Sequence, residues 1–499
     1  MRHWHVPKRR SRSIAHVTIA TALGLFAGGS LAPLAIAGGG GWSSATAISP
    51  TNQPDPTRGA QVNDVAVNTK GDAVAAWDQY TYTSGGGATI GVAVQSGGRW
   101  NPPFTISPTN GFAMNPKVAV GTDGTMAVAW SFETPVAGPA PTRSVQVAVK
   151  PAGASAWTVT TLATAPQGGV AIPQFVPVAV DAGGNVTAAW TLWNGQQHVV
   201  QAAHRLKIAP PGAANNGWSI DGTIAFGDGL YPGLAVNARG DAGVVFSVSP
   251  YTSSAGTCDP AQPLAQGTCA IYVFRNGPTG PWDAPVTVSQ VLSSSVGYIS
   301  GAQAALDANG LATVIWFGNG IEGRRQISRT AWSGARAVIP VPANMVGASF
   351  LSPDLAVDQN GDAVVAVSIF DPTVGVDRAS VWASYVLSGE WSANNFPQPV
   401  RITDPTVPVD AYATRAAISA DGSLAMVGWI DHYHGVVQVS QLDNTTGAWG
   451  AGRTIGRGTA FSAFQEVLGL DVGSGMVARA IWKSSAKGGT RTMAASYTK

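Results

Sequence analysis

The chain of 499 residues holds 11% charged residues against 45% hydrophobic ones, with 61 glycines and 33 prolines. That balance excludes a disordered chain or a coiled coil and suits a turn-rich β protein. Its formal charge of +2 comes from the first 13 residues, where Arg2, Lys8, Arg9, Arg10 and Arg12 stand; without them the charge is about −3, and no basic stripe remains to neutralise phosphates, so nucleic acid is excluded as a partner.

Those basic residues precede an apolar stretch from Ile14 to Leu34 and the small-residue run Ala35-Ile36-Ala37. This is the layout of a secretory signal peptide over residues 1–37, leaving 38–499 as the mature domain. Arg9-Arg10 would suit a twin-arginine signal, but the polar Ser11-Arg12-Ser13 that follows favours general secretion. No second long apolar run predicts a membrane span. A secreted, periplasmic or cell-surface protein is expected.

A fourth-strand pattern comes first, at Trp42 in GWSSATAIS. Then the string VNDVAVNTKGDAVAAW, ending at Trp77, returns as NPKVAVGTDGTMAVAW, VPVAVDAGGNVTAAW, YPGLAVNARGDAGVVF, GAQAALDANGLATVIW, SPDLAVDQNGDAVVAV and ATRAAISADGSLAMVGW. Each copy reads as a hairpin: a strand of small and branched residues ends in Asp or Asn, two residues pass, and Gly takes a positive φ before the second strand. The glycines are Gly71, Gly124, Gly184, Gly240, Gly310, Gly361 and Gly422, with a degenerate eighth at Gly475, and lie 51 to 70 residues apart. Six or seven residues beyond them stand Trp77, Trp130, Trp190, Phe246, Trp316, Trp429 and Trp482, with Val367 in the sixth copy.

A third run follows each time, as in IGVAVQ, SVQVAVK and GVVQVSQL, and then a Trp opens a fourth strand, at Trp42, Trp100, Trp157, Trp218, Trp282, Trp332, Trp391 and Trp449. Such regular recurrence assigns both Trp registers to packing between units. Four antiparallel strands per unit of this length predict an all-β, eight-bladed β-propeller, with seven blades as the runner-up because the fifth unit leaves room for only a short third strand and an abbreviated fourth. The last unit stops after three strands, so the strand at Trp42 can complete it and remove the open sheet edges. A monomer is expected. The AVDxxGN-type hairpins resemble the secreted bacterial β-propeller repeats of the NHL and Asp-box kind from about Trp42 to Lys499. They end the second strand in Trp rather than Asp, and lack the Ser-x-Asp-x-Gly-x-x-Trp order of the Asp box.

Cys258 and Cys269 are the chain's two cysteines. In an oxidising compartment they are expected to pair and staple an unusually long loop, since C-x-x-C spacing and nearby His partners are missing.

Strand alternation puts the second-to-third and fourth-to-first connections on one face, where the loops are long and dissimilar. Specific binding belongs there rather than on the face of repeated turns. That face is expected to present Asp78, Tyr80 and Tyr82, Glu133, Trp193, Gln196 and His198, Tyr251, Glu322, Arg324 and Arg325, Asp371, Asp377 and Arg378. The run Asp431-His432-Tyr433-His434 is the densest polar and aromatic cluster, and on a strand its two His would share a side. From these we take Tyr80, Tyr82, Trp193, His198, Arg324, Arg325, Asp431, His432, Tyr433 and His434 as candidate ligand-binding residues, with no cofactor and no metal. Aromatic platforms beside planar polar groups suit a glycan, and a surface protein is the other partner class. The leading reading is a non-catalytic, lectin-like propeller. The alternative is a glycan-cleaving enzyme of glycoside hydrolase, sialidase or lyase type, for which Asp371, Asp377, Asp404, Asp410 and Glu466 supply carboxylates.

Overall fold

Seven times the chain reverses in one way, around the glycines at 71, 124, 184, 240, 310, 361 and 422, whose φ angles run from 71° to 98°. Each of these glycines donates its N–H to the carbonyl three residues earlier, at 2.8–3.1 Å. A side chain at that earlier position solves the remaining problem, two stranded N–H groups. Asn68 accepts from Lys70 and Asp72, Asn237 from Arg239 and Asp241, Asp307 from Asn309 and Leu311, and Asp358 from Asn360 and Asp362. The repeated Asp or Asn is therefore a turn residue.

The computed structural model describes residues 41–498 apart from 50–62, 82–86, 135–141, 166–174, 195–197, 209–213, 227–231, 249–268, 290–300, 346, 374–378, 394–395, 458–467, 474–476 and 487–488. The signal peptide, Tyr82, Gln196, Tyr251, Cys258, Asp377, Arg378, Glu466 and Gly475 lie outside the described residues, and so does the pairing of Cys258 with Cys269. Regular secondary structure among the described residues is almost wholly β-strand, and no helix among them is long and apolar enough to cross a membrane.

Strands within each set pair antiparallel with their sequence neighbours. The second set shows the pattern: Phe112–Val120, Met126–Thr134, Thr142–Lys150 and Thr158–Thr164. Seven hydrogen-bonded sheets result among the described residues, the largest joining two such sets through one parallel pair, Ala88 with Phe112. The strand at Trp42 pairs with the last strand of the chain, Gly41 opposite Thr498 and Trp42 opposite Tyr497. First strands lie side by side in chain order, and that of the last set, Leu468–Gly473, lies beside that of the first, Asn63–Val67.

Two belts of bonds tie neighbouring sets. At the turns, Asn68 Nδ2 donates to the Gly121 carbonyl, Asn237 Nδ2 to that of Asp307, and Gln359 N to that of Ala420. Along the first strands, Asp64 accepts from Val118 N at 3.0 Å, Gln303 from Leu355 N at 2.9 Å, Asp354 from Ala416 N at 2.9 Å and Asp471 from Val67 N at 2.7 Å. Removal from water pushes the Asp354 carboxyl up and raises Asp471 to about 6 against the backbone N–H groups that oppose the shift.

Hydrophobic layers fill the spaces between adjacent sheets. The second-strand aromatics stand in them: Trp77 between the last and first sets, Trp130 between the first and second, Trp190 between the second and third, and Trp429 between the sixth and seventh. These four are at most 1% exposed. At about 25 cal/mol per Å², each such ring contributes roughly 4–6 kcal/mol of transfer free energy. The fourth-strand tryptophans Trp42, Trp100, Trp157, Trp282, Trp332 and Trp449 are only half-buried, because they cover the outer ends of these layers.

Two expectations change. The third strand of the fifth set, Gly320–Ser328, has nine residues, because Gly320 at φ 113° lets it start two residues after the second strand ends. Trp391 does not open a strand: it sits buried in a single helical turn, Glu390–Ala393, edge-on to Phe396, and the fourth strand follows at Val400–Arg401.

Trp190→Ala is expected to cost about 3–5 kcal/mol of stability, read from the urea midpoint. A second measurement concerns Asp471. Its folded pKa lies above its unfolded value, so its contribution is fully present below about pH 4 and is lost as the pH rises to about 6. Relative to Asp471→Asn, the wild type should lose on the order of 1 kcal/mol across that window, seen as a difference in slope of stability against pH.

Candidate functional site

The seventh set is built from Ala411–Ile418, Ala425–Asp431, Val436–Asp443, and a fourth strand broken into Ala448–Trp449 and Arg453–Arg457. The run Asp431-His432-Tyr433-His434 forms the turn between its second and third strands, so the two His do not share a strand face. Asp431 explains that turn. It is 1% exposed, its Oδ1 accepts the N–H groups of Tyr433 at 3.0 Å and His434 at 3.3 Å, and its Oδ2 meets His434 Nδ1 at 2.6 Å. His432 turns elsewhere, its ring 4.6 Å from that of Tyr412. Tyr433 is 55% exposed and stands edge-on to His434 at 4.9 Å.

Asp431 and His434 form part of the wall of a cleft of about 620 Å³. Its opposite wall is the connection that leads into this set, from Ile402 to Val409. Asp404, Arg457, Gln438, Thr454 and the indole of Trp429 also line it. Asp404 is exposed, and bonds from the Thr406 hydroxyl and N–H hold its carboxyl below the usual range. His434 Nδ1 is held by a buried carboxylate, and this half-exposed imidazole lines the cleft. The cleft thus offers hydrogen-bond donors and acceptors of the kind that hydroxyl groups pair with.

The other expected residues that are described are scattered over five further sets. Tyr80 lies half-buried within the second strand of the first set, opposite Ala88. Trp193 and His198 face each other across the third hairpin, ring centres 5.0 Å apart and 70° to one another. Arg324 and Arg325 belong to the body of a strand rather than to a loop. Arg325 is 5% exposed and binds Asp307 Oδ2 at 2.6 Å and Thr313 Oγ1 at 2.9 Å, while Arg324 donates to the carbonyls of Ser333 and Val288. Both are committed to scaffolding. Asp78 is likewise buried: its Oδ1 accepts from Asn115 N at 2.9 Å, and desolvation holds its carboxyl well above the ordinary range. Asp371 is tied to Thr373.

Sequence reading missed Gln438, Thr454 and Arg457 as site residues. Thr454, opposite Gln438, and Arg457, opposite Val436, come to one side only through a bulge between them, which no strand period signals. It also missed a buried network in which Asp221 meets His204 Nδ1 at 2.7 Å, Trp282 Nε1 at 2.8 Å and Arg275 Nη1 at 3.3 Å, with Arg275 fully enclosed. Among the described residues no group of three or more His, Cys, Asp or Glu side chains is placed to share an ion.

No protein-family model matches the chain. No curated protein matches it. Among solved structures it is similar to a protein of unknown function from Dyadobacter fermentans, at 8% identity over 92% of this chain and 99% of that one, with a TM-score of 0.41. It is also similar to the α-L-arabinanase of Penicillium chrysogenum in complex with arabinobiose, at 11% identity over 92% and 98% with a TM-score of 0.42, and to a Hadza microbial sialidase, at 12% over 74% and 63% with a TM-score of 0.37.

The two kinds of candidate residue should separate in a denaturant melt. Arg325→Ala leaves Asp307 buried without its cation and is expected to cost about 3–5 kcal/mol. Tyr433→Ala removes an exposed ring and should change stability by less than about 0.5 kcal/mol.

Proposed function

We propose that the chain is an exported, eight-bladed β-propeller that engages glycans at the cleft of its seventh blade. Eight sets, first strands adjacent in chain order, and a final set adjoining the first through Asp471 and Val67 support eight blades over seven. The leader sequence supports export. One observation carries the functional reading: a variable-face cleft lined by Gln438, Arg457, His434, Thr454 and Trp429, with the exposed ring of Tyr433 in the turn that supplies Asp431 and His434. Sugar rings need that combination, an apolar face to cover and in-plane partners for hydroxyls.

Glycan cleavage on the same scaffold is the second reading. What favours it in this chain is the Asp431–His434 pair, a buried carboxylate orienting an imidazole whose outer nitrogen can move a proton. Asp431 would act as a positioning group and His434 as the proton carrier.

The mature protein, incubated with a panel of immobilised and free oligosaccharides, separates these readings. Binding predicts retention without new reducing ends, and Tyr433→Ala should weaken it by roughly 3- to 30-fold. Cleavage predicts new reducing ends that disappear in His434→Asn while retention persists. If neither retention nor product is seen, the glycan reading is wrong and a surface protein becomes the partner to seek.

A further inference from the structure

In three sets the indole that ends the second strand is capped by the residue directly opposite on the third strand. Trp130 Nε1 donates to Gln146, Trp190 Nε1 to Gln201 and Trp316 Nε1 to Glu322, each at 3.0 Å. The seventh set carries the same pair in the same register, Trp429 opposite Gln438. There the bond is not made. Trp429 is 1% exposed, yet its Nε1 has no acceptor in the protein. The Gln438 amide oxygen stands beside Gly452, and both side chains line the cleft. Trp77 and Trp482 also lack an acceptor, but the residues opposite them, Gly91 and Met493, have none to offer. At Trp429 the acceptor is present on the opposite residue and the bond is not made.

We infer that Trp429 and Gln438 are a donor and acceptor reserved for a neutral sugar ring, the indole N–H donating to one ring hydroxyl and the Gln438 Oε1 accepting from the same or the adjacent one. This inference rests on the glycan reading above. A buried N–H left unpaired is costly, so a site that keeps one open gains most from a ligand that supplies an oxygen. Hydroxyls do so while also donating to the amide. The charges lining the cleft, Asp404 and Asp431 against Arg457, do not favour an anion, which sets neutral sugars ahead of uronic or sialic acids. Gly452 fits this role, since a Cβ there would strike the Trp429 ring. The indole would then be displaced from the cleft.

The test is calorimetric titration of the mature protein with cellotetraose, xylotetraose, arabinotetraose and mannotetraose, beside trigalacturonate and sialyllactose. At least one neutral tetrasaccharide should bind, with its Kd raised about tenfold or more in both Trp429→Phe and Gln438→Leu. The indole ¹⁵N–¹H resonance assigned to Trp429 should shift on saturation of the wild type, a readout that stands if either variant misfolds. A tetrasaccharide that binds all three proteins equally and leaves that resonance in place overturns the reserved pair while the glycan reading stands. Tighter binding of the acidic sugars overturns the neutral assignment. If no saccharide binds the wild type, the glycan reading fails and this inference with it.

Discussion

A polar side chain that takes up the stranded N–H groups of the repeated hairpin turn is the constraint on which the rest of the molecule depends. A tight reversal strands backbone N–H groups, and leaving them unpaired away from water costs about 1–3 kcal/mol each. Asn68, Asn237, Asp307 and Asp358 each take up two. The same turns then touch the next set, through Asn68 to Gly121 and Asn237 to Asp307. A residue chosen for a local backbone problem thus also spaces the sheets. Once that spacing is set, a ring the size of Trp77 or Trp190 fills the layer between two sheets without a void.

The scaffold absorbs most of the charge that looks functional in a linear reading. Arg325 lies against the turn of its own set, held by Asp307 and Thr313. Arg275 is sealed between Asp221, Thr187 and the Trp282 ring, and Asp78 supports the bulged start of the following strand at Asn115, whose φ is 58°. Arg325 and Arg275 are tolerated inside because partners surround them, whereas burial pushes Asp78, with one oxygen unpartnered, toward its neutral form. In the seventh set the indole cap is open and the second turn is closed by Asp431, which also holds His434 at the cleft.

Much of the local structure was legible beforehand. Positive φ at Gly71, Gly184 or Gly361 follows from the spacing of Asp or Asn to glycine, because few other residues tolerate that conformation. Alternation of small and branched residues named the strands, and recurrence of Trp77, Trp130 and Trp190 named the layer they fill. The cleft was half legible. Asp431 to His434 stood out by density on the face of dissimilar loops, but the common side its two His would have on a strand is denied them by the turn. Trp429 was read as packing, which its burial agrees with; it stands seven residues after its turn glycine where Trp130 and Trp190 stand six, a difference that does not by itself say whether its indole is capped.

The chain alone thus determined the repeated turn, the four-strand unit, the all-β class and the face on which dissimilar loops gather. Those depend on backbone conformation and on side-chain period, both set by residues within a few positions of each other. Whether an Arg is a ligand group or a strut, and whether a Gln caps its own Trp or faces a cleft, was decided only by tertiary structure. Those outcomes depend on residues far apart in sequence: Gly452 against Trp429, and Asp307 against Arg325. A hydrogen bond goes to whichever partner the packing of neighbouring sheets brings within about 3 Å.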